Sequence, residues 1–298
     1  MDKLFSGFSS DPIKKRRIIR YLIIGGIVLT VIIIIIIIIA VSSKSNSSND
    51  DEEELVGSCP AINYISSDFA GNGFASRYWD CCKPSCSWPE NANGNEARQC
   101  DKNMNIITDK YSKSMCEGGI ATTCLSQIPF IINDCDNIGF AFAACPSNNA
   151  CGRCAILEFT GEGKYETKKN HQMLKGKKLI VMASNIGYDV AGGQFDVMIP
   201  GGGVGAFNGC ADILGTNLGK TYGGLLSDCE DEVGYNDPDD TLYTKRKECL
   251  TNKCNSVFSS NDKAKKGCLF LANFLEAAGN PLHTYREIEC PQVLKDRY

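Results

Sequence analysis

Seventeen cysteines in a chain of 298 residues restrict what this sequence can fold into more than any other feature. In an exported protein, cysteines at this density read as disulfides; in the cytosol they would suggest metal sites. Only His171 and His283 could add imidazole ligands, and the cysteines form no repeated paired clusters, so neither metal nor cofactor is expected. Residues 1–21 form a basic tail containing Lys3, Lys14, Lys15, Arg16, Arg17 and Arg20. The chain is uncharged from Leu22 to Val41 and runs through unbroken isoleucine from Ile32 to Ile39. At about 1.5 Å rise per residue such a stretch spans roughly 30 Å, the thickness of a bilayer core. Residues 22–41 therefore read as a transmembrane signal-anchor helix. Basic residues before it and Asp50 to Glu54 after it place the N-terminus in the cytoplasm. The expectation is a single-pass type II membrane protein whose bulk is extracellular or lumenal. If Ala40-Val41-Ser42 is instead cut as a signal-peptide site, the remainder is secreted. Both readings export the cysteines.

Residues 42–57 are Ser-, Asn- and acid-rich and read as a flexible stalk holding the sequon Asn46-Ser47-Ser48. Residues 58–298 show no second linker and no repeat. Glycine is frequent and apolar runs are short, so the region reads as one β-rich domain. Candidate strands are Ala155–Thr160, Lys178–Ser184, Gln194–Ile199 and His283–Glu289. The clearest helix is Leu269–Ala278, ended by Gly279 and Pro281. A net charge of -4 gives no basic face for nucleic acid, and no nucleic-acid partner is expected.

Two stretches hold chemistry. Ser76-Arg77-Tyr78-Trp79-Asp80-Cys81-Cys82-Lys83-Pro84-Ser85-Cys86-Ser87-Trp88 packs one carboxylate, one lysine, three cysteines and three large aromatics together. Flat aromatic faces beside a fixed carboxylate suit a sugar-cleaving cleft; a cysteine-rich knot with a small aromatic core is the alternative. In the second stretch, a strand through Phe195, Val197 and Ile199 aims Asp196 at the opposite face. Glycines 201–203 follow Pro200 and permit close approach by other groups. An exposed strand aspartate beside a glycine turn is the plainer alternative there. Gly201–Ala206 nominally fits a dinucleotide fingerprint, but no helix pattern follows it. Cys151-Gly152-Arg153-Cys154 is read as two half-cystines rather than a redox pair.

Together these stretches resemble glycoside hydrolase family 45, the small inverting endoglucanases. The opening motif is matched from Ser76 to Trp88 with only the first residue changed. The central Phe-Asp-x-x-x-Pro-Gly-Gly-Gly-Val-Gly-x-Phe-x-Gly-Cys motif is matched from Phe195 to Cys210. Tyr222-Gly223-Gly224, Asn280-Pro281 and Glu289-Cys290-Pro291 are further echoes. The resemblance implies an all-β fold, a six-stranded double-psi β-barrel with disulfide-stapled loops and a few short helices. It implies a catalytic domain over 58–298 acting as an endo-β-1,4-glucanase on a cellulose-like β-glucan. Asp80 matches the general base, Asp196 the general acid and Asp189 an assisting third carboxylate. Tyr78, Trp88, Lys83, Ser76 and Phe207 match substrate-binding positions.

The resemblance also implies the disulfides Cys81–Cys210, Cys82–Cys116, Cys86–Cys151, Cys100–Cys124, Cys154–Cys290 and Cys229–Cys268. Of the remaining cysteines, short loops favour Cys135–Cys145 and Cys249–Cys254. Cys59 is then single, either free or linking two chains as a covalent dimer. Gln194 stands where many members carry histidine, and Glu230–Lys266 reads as a longer charged insertion. Three other readings stay open: an expansin-like protein that loosens wall glucans without cleaving them, a β-mannanase on the same scaffold, and a surface module with a vestigial site.

Overall fold

Short β-branched and aromatic runs between glycine turns produce seven strands in a computed structural model that describes residues 25–26, 58–145, 149–187 and 189–298. They are β1 (Ala70–Tyr78), β2 (Phe130–Ile131), β3 (Ile138–Cys145), β4 (Cys154–Gly163), β5 (Lys178–Ile186), β6 (Phe195–Met198) and β7 (Pro281–Ile288). Their order is β2-β3-β5-β4-β7-β1-β6, and a further β3–β6 pairing joins the far end back to β3. Six strands thus close a ring, with β2 paired outside it. The β1–β6 and β3–β5 contacts are parallel and the others antiparallel.

Alternation along the strands divides inside from outside. Phe159, Phe195, Val197, Leu157 and Ile180 fill the interior of the ring. β3 is buried along almost its whole length, because helical aromatics cover it: a Cβ on Gly139 would lie 2.7 Å from both Phe270 and Phe274. The four strands expected from the sequence lie within or across β4, β5, β6 and β7. β1 and β3 escaped notice because Gly71, Gly73 and a run of alanines blur the apolar alternation.

Three helices follow the glycine run: α1 (Gly224–Val233), α2 (Asp239–Val257) and α3 (Asp262–Asn273). The charged segment Glu230–Lys266 is therefore mostly helical. In α2 the buried side chains are Leu242, Arg246, Leu250 and Cys254, a single stripe at a spacing of four. A stripe that narrow, interrupted by an arginine, leaves little apolar periodicity to read. The helix expected over Leu269–Ala278 begins earlier, where Asn261 accepts a hydrogen bond from the Ala264 amide at 3.0 Å. It stops before Glu276 and Ala277, which take left-handed backbone angles.

Cys81–Cys210, Cys82–Cys116, Cys86–Cys151, Cys100–Cys124 and Cys154–Cys290 are bonded. The pairing Cys229–Cys268 is corrected. α2 lies between those residues and supplies both partners, giving Cys229–Cys249 and Cys254–Cys268. Cys249–Cys254 is excluded because residues five apart on one helix point about 140° apart around its axis. Cys135–Cys145 is excluded because β3 extends between them, and at about 3.3 Å per residue it separates them far beyond bonding reach. Cys59 bonds Cys135 instead, so no Cys59 thiol remains for a covalent dimer. The unpaired cysteine is Cys145, buried in β3 with its thiol pushed up to about 12 by burial.

The membrane placement is corrected as well. Among the described residues no helix is long and apolar enough to cross a membrane. The span expected over 22–41 lies outside the described residues except for Gly25 and Gly26, which are helical, and the stalk over 42–57 lies wholly outside them. The chain divides into two units, Met1–Glu54 and Leu55–Tyr298, and the ring of strands belongs to the second.

Peptide mapping without reduction should recover Cys59–Cys135, Cys229–Cys249 and Cys254–Cys268. Alkylation should label Cys145 only after unfolding. A Cys229–Cys268 peptide, or rapid labelling at Cys59 in the native protein, would contradict this arrangement.

Candidate active site

The parallel β1–β6 pair builds the site. Its register sets Ala75 against Phe195, Ser76 against Asp196 and Tyr78 against Met198. Ala75 and Phe195 face the interior, so Ser76, Tyr78 and Asp196 share the outer face. The Ser76 hydroxyl bonds the Asp196 carboxyl, while Asp196 Oδ1 is buried without a hydrogen-bond partner. Burial pushes the Asp196 carboxyl up to about 7, opposed by Ser76 and Arg77 and reinforced by the charges of Asp189 and Asp80.

Gln194 sets the direction of the Ser76 proton. The Ala191 amide donates to Gln194 Oε1 at 3.0 Å, and Gln194 Nε2 donates to Ser76 Oγ at 2.7 Å. With its oxygen already accepting from an amide, the serine turns its single proton toward Asp196. The same contact ties the acid to the segment that bears Asp189. That segment lies flat on the start of β1, where a Cβ on Gly73 would sit 1.7 Å from the Gly193 carbonyl oxygen. Asp189 itself is exposed.

Asp80 lies just past β1, where several chain segments meet. The Trp79 amide donates to the Gly203 carbonyl at 2.8 Å, and the Gly209 amide donates to the Asp80 carbonyl at 2.8 Å. Thr122 and Thr123 donate their hydroxyls to the Cys81 and Cys82 carbonyls at 2.6 and 2.7 Å. Cys81 has φ 59, a left-handed turn that lets the Cys82 amide reach back to Asp80 Oδ1 at 2.9 Å. Burial raises the Asp80 carboxyl to about 6 against that hydrogen bond. The glycine run nests nearby: a Cβ on Gly224, at φ +60, would lie 1.9 Å from the Gly201 carbonyl oxygen.

The other expected residues sort into two groups. Tyr78 is half-buried on the face of Asp196, and its hydroxyl accepts from Asn185 Nδ2 at 2.8 Å. Burial and the two aspartates hold that phenol well above its usual pKa. Phe207 is exposed and Trp88 half-buried. Lys83 differs from expectation, because it is buried and holds structure. Its ammonium donates to the Lys110 and Ser112 carbonyls at 2.6 and 3.1 Å and covers the Trp88 ring, 3.3 Å from the centroid. Two contributors had no sequence signal. Asn185 on β5 joins Tyr78 to the Ser85 hydroxyl. Arg77, buried beneath the site, donates to the Gly223 carbonyl at 3.1 Å and to the Ser227 hydroxyl at 3.2 Å.

A ring of strands crossed by disulfides, with two raised carboxyls on one rim, is the arrangement of a hydrolase scaffold. Residues 72–234 match the model of Glycosyl hydrolase family 45, more than half of the chain, and the chain belongs to that family. It is 41% identical to Endoglucanase B of Cellvibrio japonicus (strain Ueda107), covering 76% of this chain and 45% of that protein. It is 36% identical to a putative endoglucanase type K of Fusarium oxysporum, covering 76% of this chain and 52% of that protein. The chain thus spans about half the length of these two curated relatives. Its fold is similar to the crystal structure of the cellulase from the Antarctic springtail Cryptopygus antarcticus. There the TM-score is 0.58 at 32% identity, over 76% of this chain and 95% of that one.

Raised carboxyl pKa values have a cost in stability. Both aspartates bind protons more tightly folded than unfolded, so stability should be greatest near pH 4 and fall as pH rises through 6 and 7. Asp196→Asn removes one of these groups. It should melt several degrees above the parent at pH 8 and close to it at pH 4. A lower melting temperature for the variant at pH 8 would show that Asp196 is stabilised as an anion.

Proposed function

We propose that this chain is an endo-β-1,4-glucanase that hydrolyses internal bonds of a cellulose-like glucan by single displacement with inversion. The observation that carries this reading is the pair of buried carboxyls raised to about 6 and about 7, on a face shared with Tyr78 and rigidly stapled. Family membership and the endoglucanase names of the relatives support the substrate class. The closed six-strand ring, with its two parallel pairs, supports reading the scaffold as a double-psi β-barrel.

In this mechanism Asp196 is the acid. Protonated near neutrality, it gives its proton to the glycosidic oxygen as the bond from that oxygen to the anomeric carbon breaks. Asp80 is the base and, with the lower pKa, is ionised first. It takes a proton from a water whose oxygen attacks the anomeric carbon from the opposite face. The two halves balance: one water is consumed, one reducing end and one non-reducing hydroxyl are made, and the carboxyls exchange protons with solvent. Separate environments thus give two aspartates opposite roles. Asp189 contributes negative charge that keeps the acid protonated, and Ser76, oriented by Gln194, holds the acid in line. Tyr78, Trp88 and Phe207 offer apolar faces to pyranose rings. Lys83 acts through Trp88 and the 110–112 backbone. An inverting pair needs its carboxyls about 6.5–9.5 Å apart to admit the water.

On a soluble cellulose derivative, Asp80→Asn and Asp196→Asn should each lower kcat by about 10²–10⁴-fold. Full retention by either variant would remove it from the assigned role. The parent's kcat/KM should follow a bell in pH with limbs near 6 and 7, the acid limb reporting Asp80 ionisation and the alkaline limb Asp196 deprotonation. Proton NMR of fresh product should show the α-anomer first; early β-anomer would reject inversion.

A further inference from the structure

The outer face of β1 continues past the acid. Two residues before Ser76, Phe74 points to the same side of the strand, about 7 Å further along it. There it borders a cavity of about 460 Å³ lined by Asn72, Phe74, Thr160, Lys164, Leu282 and the backbone at Gly73 and His283. Phe74 and Leu282 are register partners across β1 and β7 and form an apolar floor. Lys164 stands at the rim, exposed, with its ammonium 3.5 Å from the centre of the Phe74 ring and 5.1 Å from that of Tyr165. Among the described residues no carboxylate pairs with it, although most of the lysines around it are paired: Lys168 with Glu166 and Asp239, Lys177 with Glu276, Lys178 with Glu158. Asn72, exposed, supplies an amide at the opposite edge. His283 adds a buried imidazole beneath the floor. The Phe74 and Thr284 backbone approaches it without hydrogen-bond geometry, and burial lowers its pKa to about 4, so it stays neutral.

An apolar floor with a sparse polar rim is how proteins hold a pyranose, whose axial C–H face is apolar and whose equatorial hydroxyls are polar. We propose that this cavity is a distal subsite for the same glucan chain, in which Lys164 donates to the hydroxyls of a pyranose several units from the bond being cut. The proposal rests on the endoglucanase reading above. The occupant follows from continuity: the cavity and Asp196 lie on one face of one strand, so a chain laid across the acid along β1 reaches Lys164. Because Lys164 touches no reacting atom, its contribution falls on the binding of long chains alone.

The test measures kcat/KM for a ladder of cello-oligosaccharides from four to eight glucose units, with the parent, Lys164→Ala and Lys164→Met. For the parent, kcat/KM should climb until the oligosaccharide reaches the cavity. In both variants the shortest substrates should be cut at parental rates and the longest should lose about 3–10-fold, the worth of one such hydrogen bond. Equal loss at every length, or no loss at any, overturns the subsite. Loss on the longest chains by Lys164→Ala but not Lys164→Met would replace the hydrogen bond with apolar contact and overturn the role of the ammonium. Melting temperatures should match the parent, as expected for an exposed side chain. If the parent cleaves no cello-oligosaccharide at all, the endoglucanase reading fails and this inference falls with it, a result distinct from cleavage that is indifferent to Lys164.

Discussion

The left-handed turn at Cys81, locked to Cys210, is the constraint on which the rest of the site depends. A non-glycine residue at φ 59 is unfavourable in isolation and persists where surrounding structure over-determines it. Here the over-determination is explicit: a disulfide to Cys210, a threonine hydroxyl on each of the Cys81 and Cys82 carbonyls, and a glycine amide on the Asp80 carbonyl. The disulfide closes a separation of 129 residues, worth about 4–5 kcal/mol in the chain-entropy view. It also fastens the end of β1 to the loop that follows β6. Those are the strands whose pairing places Ser76 against Asp196, so one cross-link holds both carboxylates in a common frame.

Legibility followed locality. Asp80 and Asp196 stood out because each lies in a dense run of unusual residues whose neighbours constrain it directly. Cysteine pairs that bridge motif to motif were likewise accessible through the family pattern. What depends on tertiary environment was not. Lys83 reads as a groove lysine in sequence, yet burial and two carbonyl acceptors turn it into a brace for Trp88. Asn185, in the middle of an apolar strand, has nothing around it to mark its contact with Tyr78. The helices from Gly224 to Asn273 were missed for a different reason. α2 buries one side chain per turn, so its sequence resembles a charged loop, and without its register the cysteines at 229, 249, 254 and 268 cannot be paired correctly.

That helical region is tied to the ring by charge as well as sulfur. Glu276, at φ 56 in the turn after α3, accepts from Lys177 at 2.6 Å, from Lys247 at 2.5 Å and from Tyr243 at 2.8 Å. Burial works against its ionisation, but these three donors together hold the carboxyl below its usual range. The group draws the residue before β5, helix α2 and the turn leading to β7 onto one anion. Removing a single donor would leave the others, whereas removing Glu276 would leave two half-buried ammonium groups facing each other.

An odd number of cysteines gives the order of folding chemical weight. Cys145 ends β3, sealed in the interior between β5 and β6, and its thiol is protonated at any ordinary pH. Before the ring closes, that same thiol is an exposed competitor for each of the sixteen others. Productive oxidation is therefore a race in which strand pairing must hide Cys145 before a partner captures it. Had Cys59 not found Cys135, two reactive sulfurs would remain on the surface of the finished protein.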